Sequence, residues 1–228
     1  MLPANEIHLW IREVDQDDPT HDATGASILS PEELERAARF RFPRDQRLFR
    51  VAHTLLRETL GRYLDQHPAT LKFVAESHGR PELTDRQLRF NLTHTNGLVA
   101  CVVTSKADCG VDAEPSDRRS DYQLVAKNVF TDAERDAIAA RPEAERPHQF
   151  FQFWTLKEAY IKARGQGLSL PLKEISFDVG QPEPTVQFGP PIGDDPAAWR
   201  FWSGMASTRH QYGVAVKSIA AMDLRIYR

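Results

Sequence analysis

Two carboxylates stand two positions apart in the segment GVDAE, residues 110–114. Because alternate residues of a β-strand share a face, Asp112 and Glu114 would point the same way from a strand. Neighbouring carboxylates repel each other and raise a pKa unless a cation lies between them. Oxygen ligands without histidine or cysteine suit Mg²⁺, which takes one or two carboxylates together with phosphate oxygens and water. The segment is therefore a candidate metal site, and the alternative is a solvated strand edge or a turn before Pro115.

A second candidate group lies in WTLKEAYIKARGQG, residues 154–167, which has the pattern of an amphipathic helix. Glu158 and Lys162 are one turn apart, and on an exposed surface they would form an ion pair of little energetic value. Large apolar side chains occupy most of the neighbouring positions: Phe150, Phe151, Phe153, Trp154, Leu156, Tyr160 and Ile161. Lys157, Glu158 and Lys162 would then lie at the edge of a buried surface. There a carboxylate needs a partner, and a metal or a substrate phosphate would explain both signs of charge.

Further residues could bind phosphate groups. FNLTHT, residues 90–95, places Thr93 and His94 where a predicted strand meets a hairpin turn predicted at Asn96-Gly97, although a lone histidine is commonly structural. Arginine recognises phosphate through two parallel hydrogen bonds, and Arg80 is held on a turn between Gly79 and Pro81. The first predicted helices also carry arginines, most of them expected to be solvated: Arg36, Arg39, Arg41, Arg44, Arg47, Arg50 and Arg57. Carboxylates for a divalent cation and cations for phosphates are what phosphoryl-type transfer requires.

Two similar sets of elements would position these residues. Strands are predicted at 6–14, 71–76, 88–95, 98–105, 111–114, 175–179, 185–188, 199–203 and 212–217. Capping boxes at Ser30 and Thr131 begin helices, and further helices are predicted at 44–64, at 122–140 as two pieces, and at 148–164 before Gly165. The order of strand, helices and strands occurs twice. We therefore expect an α+β fold of two similar halves, 1–108 and 109–228, each with a small antiparallel sheet packed with helices and with a ligand cleft between them.

The composition excludes several classes of function. The chain has 228 residues, 41% hydrophobic and 27% charged, and its net charge of −3 gives no general attraction to nucleic acid or anionic membranes. We expect no secretory signal, because the N-terminal residues show no basic segment followed by an apolar one. We also expect no membrane span, because the longest apolar run covers only residues 98–103, and hence a cytoplasmic protein. Cys101 and Cys109 are expected to be buried thiols, with a disulfide as the alternative, and they are too few for a structural zinc site.

Several motifs, taken together, resemble one family. GVDAE resembles the G-[IV]-D-x-E motif of the 4′-phosphopantetheinyl transferases, and WTLKEAYIKARGQGLSLPL resembles their W-[ST]-x-K-E-[AS]-[FY]-x-K-x-x-G-x-G-L motif. FNLTHT, HGRPEL, RFRFPRDQRLF and VFTDAE are also similar to family segments, and all these matches follow the family order across residues 30–172. The length of the chain is similar to that of the Sfp-type class and exceeds that of the trimeric synthases. Members of the Sfp-type class are monomeric pseudo-dimers, in which two α+β halves are related by a pseudo-two-fold axis.

This resemblance implies an activity. The protein would transfer 4′-phosphopantetheine from coenzyme A to a serine of an apo carrier protein of fatty-acid, polyketide or nonribosomal-peptide synthesis, leaving adenosine 3′,5′-bisphosphate. By the same resemblance, Asp112, Glu114 and Glu158 would bind Mg²⁺, with Mn²⁺ as an alternative. Lys162 would contact the pyrophosphate and stabilise the leaving bisphosphate. Glu158 would be the general base, either directly or through a water molecule held at the metal.

The resemblance also implies a set of residues that bind coenzyme A: Arg47, Arg80, Thr93, His94, Asp112, Lys157 and Lys162. Arg44 and Arg50 compete with Arg47 for the same role. Thr93 stands where the family usually has serine, so the hydroxyl donor is kept. A basic patch after the metal motif, Arg118, Arg119 and Lys127, is a hypothesis for carrier docking. Two other functions stay open at this point, namely an inactive binding module that keeps the fold and a Mg²⁺-dependent pyrophosphate hydrolase acting on coenzyme A.

Overall fold

The computed structural model describes residues 2–15, 25, 27–75, 80–117 and 122–228. Its chain divides into two units, the first made of Met1–Lys106 with Asp223–Arg228 and the second of Ala107–Met222. The first unit contains β1 (Glu6–Glu13), α1 (Pro31–Ala38), α2 (Pro43–Leu64), β2 (Phe73–Ala75), β3 (Pro81–Leu83), β4 (Arg89–Thr95), β5 (Leu98–Thr104) and, at the end of the chain, β11 (Asp223–Tyr227). The second contains β6 (Cys109–Pro115), α3 (Tyr122–Val129), α4 (Asp132–Ala139), α5 (Arg146–Arg164), β7 (Ile175–Asp178), β8 (Thr185–Phe188), β9 (Trp199–Met205) and β10 (His210–Lys217). Short 3₁₀ helices lie at Pro68–Thr70, Glu143–Glu145, Gly167–Ser169, Leu172–Glu174 and Pro196–Ala198.

Local sequence signals explain where the helices of the first unit begin and end. The Ser30 side chain accepts a hydrogen bond from the Glu33 backbone, and the Glu33 side chain accepts one from the Ser30 backbone, which is the predicted capping box. Pro43 occupies the first turn of α2, where its missing N–H has no cost. The apolar face of α2 then buries Val51 and Leu55 in the core of this unit. Both predicted helices are confirmed.

The main sheet of the first unit has the strand order β11-β1-β5-β4. The hairpin β4–β5 turns at Asn96-Gly97 as predicted, with Gly97 at φ 88°, a left-handed conformation that glycine adopts without steric cost. The predicted second half, 109–228, needs correction at its end, because β11 pairs parallel to β1 and residues 223–228 belong to the first unit. Tyr227 stacks on Trp10 of β1 with ring centroids 4.4 Å apart. No local pattern in the sequence predicts this contact. The β2–β3 pair is a second difference, since β3 begins at Pro81 in a segment predicted as a turn.

The second unit has a three-stranded antiparallel sheet in the order β6-β10-β9 and a separate β7–β8 pair. Thr131 and Glu134 form the second predicted capping box at the start of α4. α5 ends at Gly165 in a left-handed conformation with φ 65°, again as predicted. Its apolar side chains, with those of β7, β9 and neighbouring helices, make the core of this unit.

Two glycines allow α5 to lie directly on the sheet. A side chain on Gly110 of β6 would overlap the backbone of Ala159, and one on Gly213 of β10 would come within 2.5 Å of the Thr155 backbone. Gly110 shares a strand face with Asp112 and Glu114 because alternate residues point the same way. The face that carries the two carboxylates is therefore the face that α5 covers.

Two expectations from composition can be compared with the described part of the chain. Cys101 and Cys109 are both buried, and no disulfide joins them. Within the described ranges, no helix is long and apolar enough to cross a membrane.

Replacing Gly213 with alanine should lower the free energy of unfolding by about 1–3 kcal/mol, because the new methyl group would press on helix backbone that cannot rotate away. Urea unfolding followed by circular dichroism measures this change. Gly180→Ala is the matched control, since a methyl group there would meet only the Asp178 side chain, in an exposed turn, and should change stability by less than about 0.5 kcal/mol. Equal stability of the two variants would contradict the close packing described here.

Candidate functional site

The second unit brings together four of the predicted site residues. β6 supplies Asp112, which is buried, and Glu114, which is half-buried. α5 supplies Glu158 and Lys162, one helical turn apart and both half-buried. The charges of Asp112, Glu114 and Lys162 all act on Glu158, so strand and helix contribute to one group. We call Asp112, Glu114 and Glu158 the carboxylate cluster.

The surroundings of Glu158 change the pKa of its carboxyl group. Its pKa is raised from the ordinary value of 4.5 to about 7, chiefly by burial and further by the negative charges of Asp112 and Glu114. The ammonium group of Lys162 opposes the rise but does not cancel it. At neutral pH, Glu158 is thus divided between its protonated and ionised forms, which is the condition of an effective proton acceptor.

Lys162 is the cation that the structure places against the cluster. Its Nζ donates to Asp112 Oδ1 at 2.6 Å and to the Val111 carbonyl at 3.2 Å. The simple reading of the sequence, an exposed pair between Glu158 and Lys162 along one helix, is therefore incomplete. The short contact instead crosses from helix to strand and ties α5 to β6 at the cluster.

The carboxylate oxygens of the cluster are chemically suited to bind a divalent cation. The cluster offers only carboxylate oxygens, the ligands preferred by Mg²⁺, and the mutual repulsion seen at Glu158 is what a cation would relieve. Across the ranges that the structure describes, no group of three or more His, Cys, Asp or Glu side chains is drawn together closely enough to hold a metal. The ammonium group of Lys162 lies against Asp112 and neutralises part of the charge of the cluster.

Lys157 was predicted to bind phosphate, and the structure shows that this prediction is wrong. The side chain is fully buried, and its Nζ lies 2.7 Å from Glu134 Oε2. The same Nζ donates to the carbonyl oxygens of Val129 at 3.0 Å and Leu172 at 2.9 Å and lies 5.1 Å from the centroid of the Phe130 ring. Burial lowers the pKa of Lys157, whereas the Glu134 charge acts to raise it. All three donors are used inside the protein, so none is left for a ligand.

Glu134 is the partner that sequence reasoning did not connect with Lys157. Besides the ion pair, Glu134 accepts hydrogen bonds from the backbone of Thr131 at 2.9 Å and Phe177 at 3.0 Å. The capping box was visible in the sequence, and it identified Glu134 as a helix-start residue. The pairing with Lys157 depends on how α4 packs on α5, which local patterns do not specify.

The four other residues that were predicted to bind coenzyme A belong to the first unit. Thr93 is buried and His94 is exposed near the end of β4, while Arg47 is half-buried on α2. Arg80 is largely buried; its Nε lies 3.1 Å from Glu82 Oε1 and its Nη2 donates to the Phe90 carbonyl at 3.3 Å. Residues His78 and Gly79 of the predicted turn lie outside the described residues. The ligand roles of Arg47, Arg80, Thr93 and His94 stay predictions.

The choice among Arg44, Arg47 and Arg50 also stays open. Arg44 is exposed and pairs with Asp45 at 3.4 Å. Arg50 is half-buried, and its Nε makes no hydrogen bond within the described part of the chain.

Comparison with known proteins gives matches in both units. Residues 108–216 match the sequence model of the 4′-phosphopantetheinyl transferase superfamily, and residues 18–106 match that of the N-terminal part of a 4′-phosphopantetheinyl transferase. The 4′-phosphopantetheinyl transferase HetI of Nostoc sp. is 38% identical over 80% of this chain and 78% of its own. Sfp of Bacillus subtilis, also a 4′-phosphopantetheinyl transferase, is 30% identical over 68% of each chain. A solved holo-[acyl-carrier-protein] synthase from Thermotoga maritima, with a TM-score of 0.41 and 18% identity over 50% of this chain and 64% of its own, is too distant to carry an argument.

Replacing Lys157 with methionine should lower the free energy of unfolding by about 3–5 kcal/mol, because Glu134 would be left buried without its cation. Chemical denaturation measures the loss. Adding Glu134→Gln to Lys157→Met should recover part of the stability, since the uncompensated charge is removed. Lys173→Met, at an exposed lysine of the same unit, should change stability by less than about 0.5 kcal/mol. A Lys157 variant as stable as the Lys173 variant would restore the ligand-binding interpretation.

Proposed function

The chain belongs to the 4′-phosphopantetheinyl transferase superfamily, and we propose that it transfers 4′-phosphopantetheine from coenzyme A to a serine hydroxyl of an apo carrier protein. The products are the holo carrier protein and adenosine 3′,5′-bisphosphate. The observation that carries this proposal is the carboxylate cluster with Lys162 against it, inside the part of the chain that matches the family. Its enzyme class is therefore that of the phosphopantetheinyl transferases, also called holo-[acyl-carrier-protein] synthases.

The reaction sets clear chemical demands. The serine oxygen forms a bond to the phosphorus atom that carries pantetheine, and the bond from that phosphorus to the bridging oxygen of the pyrophosphate breaks. The serine proton must be accepted, and negative charge grows on the departing bisphosphate. Positioning and neutralisation of charge supply most of the catalysis in phosphoryl transfer.

Glu158 and Lys162 meet these two demands. The raised pKa of Glu158, about 7, suits a residue that accepts the serine proton, either directly or through a water molecule that it orients. Lys162 is at the end of a flexible side chain, and its ammonium group can neutralise charge on the leaving bisphosphate. Both side chains project from consecutive turns of α5, so one rigid helix holds the proton acceptor and the cation.

A divalent cation forms part of the proposal. Asp112, Glu114 and Glu158 would hold Mg²⁺, with Mn²⁺ as an alternative, and the bound ion would neutralise the pyrophosphate of coenzyme A. In the structure, the Lys162 ammonium group donates a hydrogen bond to Asp112 Oδ1, and a bound cation would compete with it for that oxygen. Lys162, on its flexible side chain, would then be able to turn its ammonium group toward the phosphates. An ionised Glu158 is also favoured by a nearby cation, which leaves open whether Glu158 or an oriented water molecule takes the proton.

Other parts of the prediction await their own tests. The class of carrier protein, the monomeric state and the cytoplasmic localisation stay predictions. In the hypothesis for carrier docking, Lys127 is exposed in the last turn of α3, whereas Arg118 and Arg119 lie outside the described residues.

The proposal predicts a gain of one phosphopantetheine group on an apo carrier protein incubated with the enzyme, coenzyme A and Mg²⁺. Intact-mass spectrometry across a panel of fatty-acid, polyketide and peptide carriers detects it. Glu158→Gln and Asp112→Asn should each lower the rate by roughly 100-fold or more while the protein stays folded, since each removes a group from the reacting site. Glu183→Gln replaces an exposed glutamate of the same unit and should keep the full rate.

Three results would count against the proposal. No mass gain on any carrier would refute the transferase activity for that panel and favour an inactive binding module. Release of bisphosphate from coenzyme A without a carrier would instead indicate a hydrolase. Full activity of Glu158→Gln would remove Glu158 from the role of proton acceptor.

A further inference from the structure

Gln211 lies next to the carboxylate cluster, and no motif in the sequence draws attention to it. In the antiparallel pairing of β6 and β10, Gln211 stands directly opposite Glu114, and Gly213 stands opposite Asp112. Directly opposed residues of two antiparallel strands share a face and bring their side chains within contact range. Gln211 therefore lies on the face that α5 covers, two residue pairs along the strands from Asp112.

The side chain of Gln211 is buried but incompletely satisfied. Only 1% of the residue is exposed, and its Oε1 accepts no hydrogen bond from any residue that the structure describes. A buried acceptor without a partner costs about 1–3 kcal/mol, so such groups are uncommon unless a ligand completes them. Gln149, a buried glutamine of α5, shows the usual arrangement. Its Oε1 accepts from Arg141 at 3.1 Å, and its Nε2 donates to Gln152 at 3.0 Å.

The surroundings of Gln211 limit what could satisfy it. Its cross-strand neighbour Glu114 and the nearby Asp112 offer acceptor oxygens when ionised, so they cannot donate to another acceptor. The Lys162 ammonium group donates to Asp112 and to the Val111 carbonyl. On the other side of Gln211, β9 presents Met205, which has no donor on its side chain. None of these groups donates to Oε1, so it is available to a group that arrives with a ligand of the cluster.

We propose that Gln211 is a positioning residue of the cation site, and that its Oε1 accepts a hydrogen bond from a water molecule hydrating the divalent cation at Asp112, Glu114 and Glu158. This inference rests on the proposed function, because it uses the same cation. Mg²⁺ usually keeps several waters in protein sites, and outer partners that hold such waters contribute to affinity. The unpaired amide oxygen thus lowers the stability of the metal-free protein, and a water molecule bound with the cation would remove this penalty.

Titration with Mn²⁺, followed by electron paramagnetic resonance with and without coenzyme A and with no carrier protein present, tests the proposal. Gln211→Met keeps the volume and removes the acceptor. We expect its dissociation constant for Mn²⁺ to rise roughly tenfold, within the range seen when outer partners of a metal are lost. Its midpoint of unfolding in metal-free buffer should be equal to or higher than that of the wild type, because the oxygen removed makes no hydrogen bond to any residue that the structure describes. Gln149→Met should do the opposite, with a lower midpoint and an unchanged Mn²⁺ affinity.

Gln211→Glu is the second variant, and it guards against a folding defect in Gln211→Met. It keeps an acceptor oxygen at the same place, so Mn²⁺ affinity should be at least that of the wild type. A tenfold loss in Gln211→Glu, or an unchanged dissociation constant in a folded Gln211→Met, would overturn the inference while the proposed transferase stands. Raised KM for coenzyme A with unchanged Mn²⁺ affinity would overturn it too, because Gln211 would then contact the substrate. Failure of the wild type to bind Mn²⁺ under either condition would overturn both this inference and the cation in the proposed function.

Discussion

The close approach of α5 to β6 and β10 is the constraint on which the second unit depends. It is possible because Gly110 and Gly213 present no side chain where the helix backbone passes. A helix seated this near the sheet places Glu158 within the electrostatic reach of Asp112 and Glu114, which alternate with Gly110 along one strand face. The same proximity excludes water and raises the pKa of Glu158. A side chain at either glycine would separate the groups that the chemistry needs to bring together.

Two adjacent residues of α5 face different surroundings. Lys157 and Glu158 are adjacent in sequence but about 100° apart around the helix axis. Lys157 faces inward, where Glu134 and two backbone carbonyls fix α5 against α4, the end of α3 and the segment that follows α5. Glu158 faces the strand carboxylates, with Lys162 one turn further along. The buried pair is a means of fixing the rotation of the helix, and through it the direction in which Glu158 points.

Local signals predicted much of this fold. The capping boxes at Ser30 and Thr131, the turn at Asn96-Gly97 and the glycine that ends α5 each act within a few residues, and each was found as expected. The parallel pairing of β11 with β1 was missed because it joins segments from opposite ends of the chain. Lys157 was assigned to a ligand for a similar reason, since its partner Glu134 comes from another helix. The pairing of Gln211 with Glu114 is likewise a matter of strand register, which sequence patterns alone do not give.

The central claim is that Asp112, Glu114 and Glu158 act as one carboxylate cluster that a divalent cation completes. Carbon-13 NMR of the Glu158 carboxyl group, titrated with pH in metal-free buffer and then with saturating Mg²⁺ and coenzyme A, tests it most directly. The account predicts an apparent pKa of about 7 without metal. It predicts a pKa at or below the ordinary value of 4.5 once the cation and coenzyme A are bound. An ordinary pKa in metal-free buffer, or a raised pKa that Mg²⁺ and coenzyme A leave unchanged, would contradict it.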